Sequence, residues 1–262
     1  MNVFSIIGLL ISVSVLFIGL RLASEDLRMF LDYPSLFIVL GGTFAATALS
    51  FNLNRIFFLV KIFFRRIFFG KQFRYSDVIK EIMRITEAYR KGDSVDSFIG
   101  TIKDPFLREC IELYNEGILE KEHFLDVCEN RAEKMMVNYS EEARKIKAVG
   151  KFPPAFGMMG TTIGMIVLLA NLGGEDALKR IGPAMGVCLI TTLYGVAFAN
   201  LIIVPVSENL MDNTKEVYLK NQIVVEGLKL FTEKTNPIVV GIELNSFLTP
   251  SERVDWKEAT RG

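Results

Sequence analysis

Half of this 262-residue chain is hydrophobic, yet it carries 30 Lys and Arg against 30 Asp and Glu, so its formal net charge is zero. A mean hydropathy of +0.33 beside 23% charged residues means that the two kinds are segregated along the chain. That pattern excludes an ordinary water-soluble globule, and no nucleic-acid partner is expected.

Crossing the hydrocarbon core of a bilayer takes about 20 apolar residues. Four stretches supply that length: 3–20, 33–53, 152–172 and 182–206. The predicted fold class is all-α, a polytopic membrane protein with four transmembrane helices and a cytoplasmic helical domain between spans 2 and 3. The first stretch lacks a basic leader and a second span follows closely, so it reads as a retained span and not as a signal peptide. Orientation follows the basic residues beside the spans. Arg55, Lys61, Arg65, Arg66, Lys71 and Arg74 follow the second span, with no acid until Asp77. The middle segment, the tail and both termini are therefore expected in the cytoplasm. The expected order is a hairpin of spans (1–53), a surface segment (54–75), a helical domain (76–150), a second hairpin (151–206) and a helical tail (207–262).

Residues 55–69, RIFFLVKIFFRRIFF, interleave phenylalanines with basic residues. That suits a helix at the cytoplasmic lipid surface, its Lys and Arg reaching towards headgroups. Ser76 and Asp77 are the expected caps of the next helix, whose Val78, Ile79, Ile82, Met83 and Tyr89 share one face and which Gly92 ends. A short helix through Val95, Phe98, Ile99 and Ile102 follows, then a third opened by Asp104 and Pro105 and closed at Gly117. From Glu120 a long polar helix runs towards Lys151, and no strand pattern occurs.

Cys110, Cys128 and Cys188, three cysteines in a reducing compartment, give no disulfide framework. His123 lies in a charged helical run and reads as solvated. No spacing suggests a metal site, a phosphate loop or a nucleophile–base pair, so neither an enzyme activity nor a bound cofactor is expected.

The last two spans contain no Asp, Glu, Lys, Arg or His, although ionisable residues in a membrane usually mark ion pathways. They carry small and hydroxyl residues instead. Gly157, Gly160 and Gly164 stand with Thr161 and Thr162 on the third span; Thr191, Gly195 and Ala199 recur every fourth residue on the fourth, beside Thr192. Close helix packing accounts for such a pattern, and so does a pathway whose carboxylate comes from another chain. Pro153, Pro154 and Pro183 are expected at span starts, where a missing N–H costs little. Pro205 falls inside the helix that continues the fourth span, where it frees the Leu201 carbonyl and favours a kink.

PAFGMMGTTIGM and GPAMGVCLITTLYGVAFANLIIVP resemble the third and fourth spans of the MotA/PomA flagellar motor stator A-subunits. LDYPSLFIVLGGTFAATAL, DPFLRECIELYNEG and NPIVVGIELNSFLTPSER resemble other parts of that family in the same order. The resemblance implies a multi-pass protein of the bacterial inner membrane, five copies of which surround two helices of a single-span, peptidoglycan-anchored partner of MotB or PomB type. It implies that this partner brings a membrane aspartate, that ion flow turns the ring against this axle, and that cytoplasmic charges meet the rotor switch-complex protein FliG. It implies coupling roles for Pro154 and Pro205 and an ion pathway at Thr161, Thr191 and Thr192. It also implies a rotor contact at Arg90, with Lys91 as alternative, and Asp96. The run RKGDSVDSF departs from the family pattern, since its glycine stands one residue early. Sodium is the favoured transported ion, because the TTLYG form resembles sodium-driven members; the proton is the other. Two alternatives stay open: an ion-driven energiser of the ExbB/TolQ kind, which has three spans, and a scaffold that moves no ions.

Overall fold

A computed structural model of the chain describes residues 3–54, 56–58, 61, 74–170 and 177–255, and among them every regular element is a helix. Helix α1 is Val3–Ala23. A short 3-10 turn, Leu27–Phe30, leads to α2, which consists of Tyr33–Leu36, a π-helical turn Phe37–Gly41 and Gly42–Ser50. Then come α3 (Tyr75–Lys91), α4 (Asp96–Ile99), α5 (Pro105–Asn115), α6 (Lys121–Val149) and α7 (Phe152–Ala170). Helix α8 (Ala177–Phe198) passes through a second π-helical turn, Ala199–Ile203, into α9 (Val204–Thr232), and α10 is Pro237–Leu244. Three helical runs are long and apolar enough to cross a membrane: Leu27–Ser50, Lys121–Ala170 and Ile181–Thr232. Within α1 the apolar run Leu10–Ala23 is shorter than these. The expected surface helix at 55–69 falls mostly outside the described residues; 56–58 and 61 are helical.

The chain divides into two compact units, one of residues 1–71 and 140–211, the other of 72–139 and 212–262. In the first, α7 and α8 pack antiparallel through small residues, with Gly157 against Thr191, Thr192 and Gly195, and Gly164 against Ala184 and Cys188. Gly195 lies so close to α7 that an added Cβ would sit 2.5 Å from the Pro153 carbonyl oxygen. Helix α2 joins this pair on one flank, where the Phe156 ring fills the space a side chain at Gly42 would need. Ala143, Ile146 and Val149 of α6 form a second buried cluster with Ile203, Val206 and Leu210. Outward faces stay apolar: Leu22 is 85% exposed, Phe37 80% and Leu49 90%. Such surface on a single chain calls for lipid or other chains to cover it.

The second unit has a conventional core. Ile79, Ile82, Leu107, Ile111, Phe124, Leu228, Phe231 and Leu244 are fully buried, each worth about 1.5–3 kcal/mol of transfer free energy. Asp104 caps α5 by accepting from Leu107 N–H at 2.9 Å, as its place before Pro105 predicts. Its other oxygen meets Lys220 at 2.6 Å in a nearly buried ion pair. Gly92 ends α3 at φ 97°, a conformation that glycine adopts without a Cβ penalty. Cys110 and Cys128 are buried free thiols; side-chain hydrogen bonding with Cys128, then burial, pushes Cys110 up, and the same interaction lowers Cys128. His123 is exposed.

Two local expectations need correction. Ser76 and Asp77 do not cap α3: the helix begins at Tyr75 with Arg74 in the cap position, and Asp77 lies in the first turn, where its charge suits the helix dipole. Pro183 lies at the start of the apolar run Ile181–Thr232, as expected, but not in the first turn of its helix. Helix α8 starts at Ala177, so Pro183 stands inside it.

Candidate functional site

Two prolines set the start of α7. Pro153 and Pro154 occupy its first turn, where their missing N–H groups have no carbonyl to serve. The glycines at 157, 160 and 164 then bury one face of α7 against α8, and the absence of Cβ atoms brings the backbones together.

That approach carries Thr161 to Thr192. Their hydroxyl oxygens lie 2.5 Å apart. The Thr161 hydroxyl also reaches the Cys188 carbonyl at 2.9 Å and the Gly157 carbonyl at 3.1 Å. Thr192 lies 3.5 Å from the same two carbonyls. Four oxygens, two hydroxyl and two carbonyl, therefore converge at one place between α7 and α8. Each hydroxyl has a single proton to donate, so the cluster retains unused lone pairs. Both threonines are only half-buried.

The other two hydroxyls are separated from this pair. Thr191 is fully buried, donates to the Val187 carbonyl of its own helix and presses on Gly160. Its side chain fills the space between α8 and α7 beside Gly160. Thr162 is exposed and bonds the Met158 carbonyl at 3.1 Å. Adjacent threonines differ by about 100° around a helix, so neighbours in sequence face different surroundings.

The oxygen cluster bears no net charge. Neutral oxygens can replace part of an ion's hydration shell, but the charge that makes desolvation of a cation favourable has to come from elsewhere. Among the described residues no group of three or more His, Cys, Asp and Glu is placed to hold a metal ion.

The two prolines expected to have coupling roles differ in setting. Pro154 is half-buried in the first turn of α7, whereas Pro205 is exposed near the start of α9. Ahead of Pro205 the ladder shifts: the Val204 N–H bonds the Ala199 carbonyl, five residues back. The anticipated kink takes the form of a π-helical turn, one way a helix accommodates a proline that cannot donate to the fourth carbonyl back.

In the second unit, Arg90 is exposed in the last turn of α3 and has no ion pair among the described residues. Lys91 pairs with Glu87 at 2.7 Å. Asp96 opens α4 and accepts from the Asn115 amide at 2.7 Å. Beneath them the Tyr89 and Tyr114 hydroxyls meet at 3.0 Å, and Lys234 lies over the Tyr89 ring at 4.8 Å. Burial and the Tyr89 bond push Tyr114 up to about 12. Arg90 is thus the more available cation for an outside contact.

Sequence reasoning missed the flank where α2 meets this hairpin. The Gly42–Phe156 contact and the bonds of Ser35 and Tyr194 to other helices depend on which helix lies alongside. The adjacent glycines 41 and 42 were the available signal.

A family model described as the MotA/TolQ/ExbB proton channel family matches residues 99–222. The chain is 33% identical to motility protein A of Borreliella burgdorferi over the full length of both. It is 27% identical to the chemotaxis protein PomA of Vibrio alginolyticus over 97% of this chain and 98% of PomA. In fold it resembles a chain of the C. jejuni MotAB structure, with a TM-score of 0.84, 20% identity and coverage of 97% and 99% of the two chains. A chain of the flagellar MotAB stator complex from Bacillus subtilis matches with a TM-score of 0.82, 21% identity and coverage of 95% and 96%. The chain belongs to the MotA/PomA family of flagellar motor stator A-subunits.

Proposed function

We propose that this chain is the ring-forming half of an ion-driven flagellar stator. Four spans, 3–20 included, hold it in the bacterial inner membrane with both termini cytoplasmic. Five copies surround a MotB/PomB-type partner whose membrane aspartate faces Thr161 and Thr192. Ion passage turns the ring, and Arg90 and Asp96 engage the rotor protein FliG.

The observation that carries this reading is the convergence of two hydroxyls and two carbonyls on a face without charge. A charged group of this chain's own would pair permanently with the partner's aspartate and oppose its release and reloading with each ion. The full-length likeness to motility proteins supports the stator over the energiser alternative.

Sodium is the proposed ion. A proton needs only a carboxylate and a path to it. A sodium ion has to exchange its hydration shell for several oxygens, and the Thr161–Thr192 cluster offers them beside the carboxylate. The test is rotation in a motile host lacking its own stators, expressing this chain with its partner, at fixed proton-motive force. Speed that rises with sodium and falls in Thr192→Ala supports the reading. Speed indifferent to sodium but abolished by a protonophore makes it a proton motor, and no rotation from a membrane-assembled complex defeats the stator reading.

A further inference from the structure

We infer that Tyr194 is a positioning residue for the ion site, the latch that fixes the rotation of α8 about its own axis; the inference rests on the stator reading. Tyr194 stands in the middle of the fourth apolar stretch, 182–206, where a tyrosine hydroxyl away from water needs a protein partner. Its hydroxyl donates to the Phe30 carbonyl and accepts the Asp32 N–H at 3.3 Å, so both of its bonds go to the backbone just ahead of α2.

A second fastening lies beside it. Asp32 caps α2 by accepting from Ser35 N–H at 2.8 Å. The Ser35 side chain is fully buried, and its hydroxyl donates to the Val187 carbonyl of α8 at 3.4 Å. That carbonyl also receives the Thr191 hydroxyl. Two points on α8, the Val187 carbonyl and the Tyr194 side chain, are thereby tied to the start of α2. They bracket Thr191 and Thr192 in sequence.

Two ties on one side of a helix restrict its roll. Thr192 meets Thr161 on the side of α8 turned away from those ties, and a small roll there separates hydroxyls that now lie 2.5 Å apart. Loss of the latch should therefore weaken ion binding more than it weakens the turnover of a bound ion. Tyr194→Phe removes the hydroxyl and keeps the ring.

Two measurements on the complex with its partner test this. The first is hydrogen exchange at the Asp32 amide in the purified complex. Protection should fall by about tenfold in Tyr194→Phe if the bond to Tyr194 is what protects it; unchanged protection would refute the latch. The second is rotation speed against sodium chloride concentration. The half-saturating concentration should rise severalfold with speed at saturation close to wild type. An unchanged half-saturating concentration, or loss of saturating speed alone, would refute the positioning role. Should Tyr194→Phe fail to assemble, Ser35→Ala, which removes the other tie, is expected to shift half-saturation in the same direction, and no shift counts against the inference. A wild-type complex that does not rotate defeats the stator reading and the ion-site role together, while the exchange experiment still decides the latch.

Discussion

Gly160 and Thr191 share a single space between α7 and α8. A Cβ added at Gly160 would lie 2.7 Å from the Thr191 Cβ and 2.8 Å from its hydroxyl oxygen. A β-branched side chain in a helix has little freedom to swing aside. Gly160→Ala should therefore force the helices apart at a cost of roughly 1–3 kcal/mol. It should appear as a lower melting temperature of the detergent-purified complex and less protein in membranes. Gly182→Ala, where nothing lies within 4 Å, is the control and should be near neutral.

The threonines should separate by function in the way they separate in space. Thr161→Val and Thr192→Val remove oxygens from the cluster and should raise the sodium concentration needed for rotation by about tenfold, as expected for the loss of about 1.4 kcal/mol of ion binding. Thr191→Val removes only a hydroxyl bonded within its own helix and should rotate at nearly the wild-type sodium dependence. A Thr191→Val complex as impaired as Thr192→Val would contradict this division.

Arg90 and Lys91 are neighbours with different commitments, since Lys91 is engaged by Glu87. Arg90→Glu should impair rotor engagement clearly and Lys91→Glu less. Charge attraction acts mainly on encounter, so the Arg90→Glu defect should change with ionic strength. Stator recruitment at the motor, counted by fluorescence, gives the measurement. Equal recruitment of wild type and Arg90→Glu would place the contact elsewhere.

Pro205→Ala restores a donor for the Leu201 carbonyl, so the π-helical turn at Ala199–Ile203 should revert to α-helical spacing. The variant should express and assemble, yet rotate slowly if the turn is a joint of the ion-driven movement. Rotation at wild-type speed would make the turn a static feature.

Much of this was legible from residue types whose effects are local. Asp104 before Pro105 predicts a capped helix start, and Gly92 a left-handed stop, because each rule concerns only adjacent backbone. The Ser76–Asp77 cap failed because several polar residues in a row offer more than one helix start, and packing of Tyr75, Val78 and Ile79 chooses among them. The small residues of the α7–α8 face were visible, but which threonine meets Thr161 was not. That depends on the azimuth of α8, set by its contacts with two other helices. Pro205 signalled a perturbed helix; a π-helical turn with continuing helix is one of several ways to meet that constraint.

The central claim is that this chain supplies neutral oxygens and its partner supplies the charge. Ion flux into vesicles measures it most directly, comparing this chain alone, the chain with its partner, and the chain with a partner whose membrane aspartate is replaced by asparagine. The expected result is flux from the intact pair alone, with all three preparations assembled in the membrane. Brisk flux through this chain without a partner, or through the asparagine complex, would contradict it.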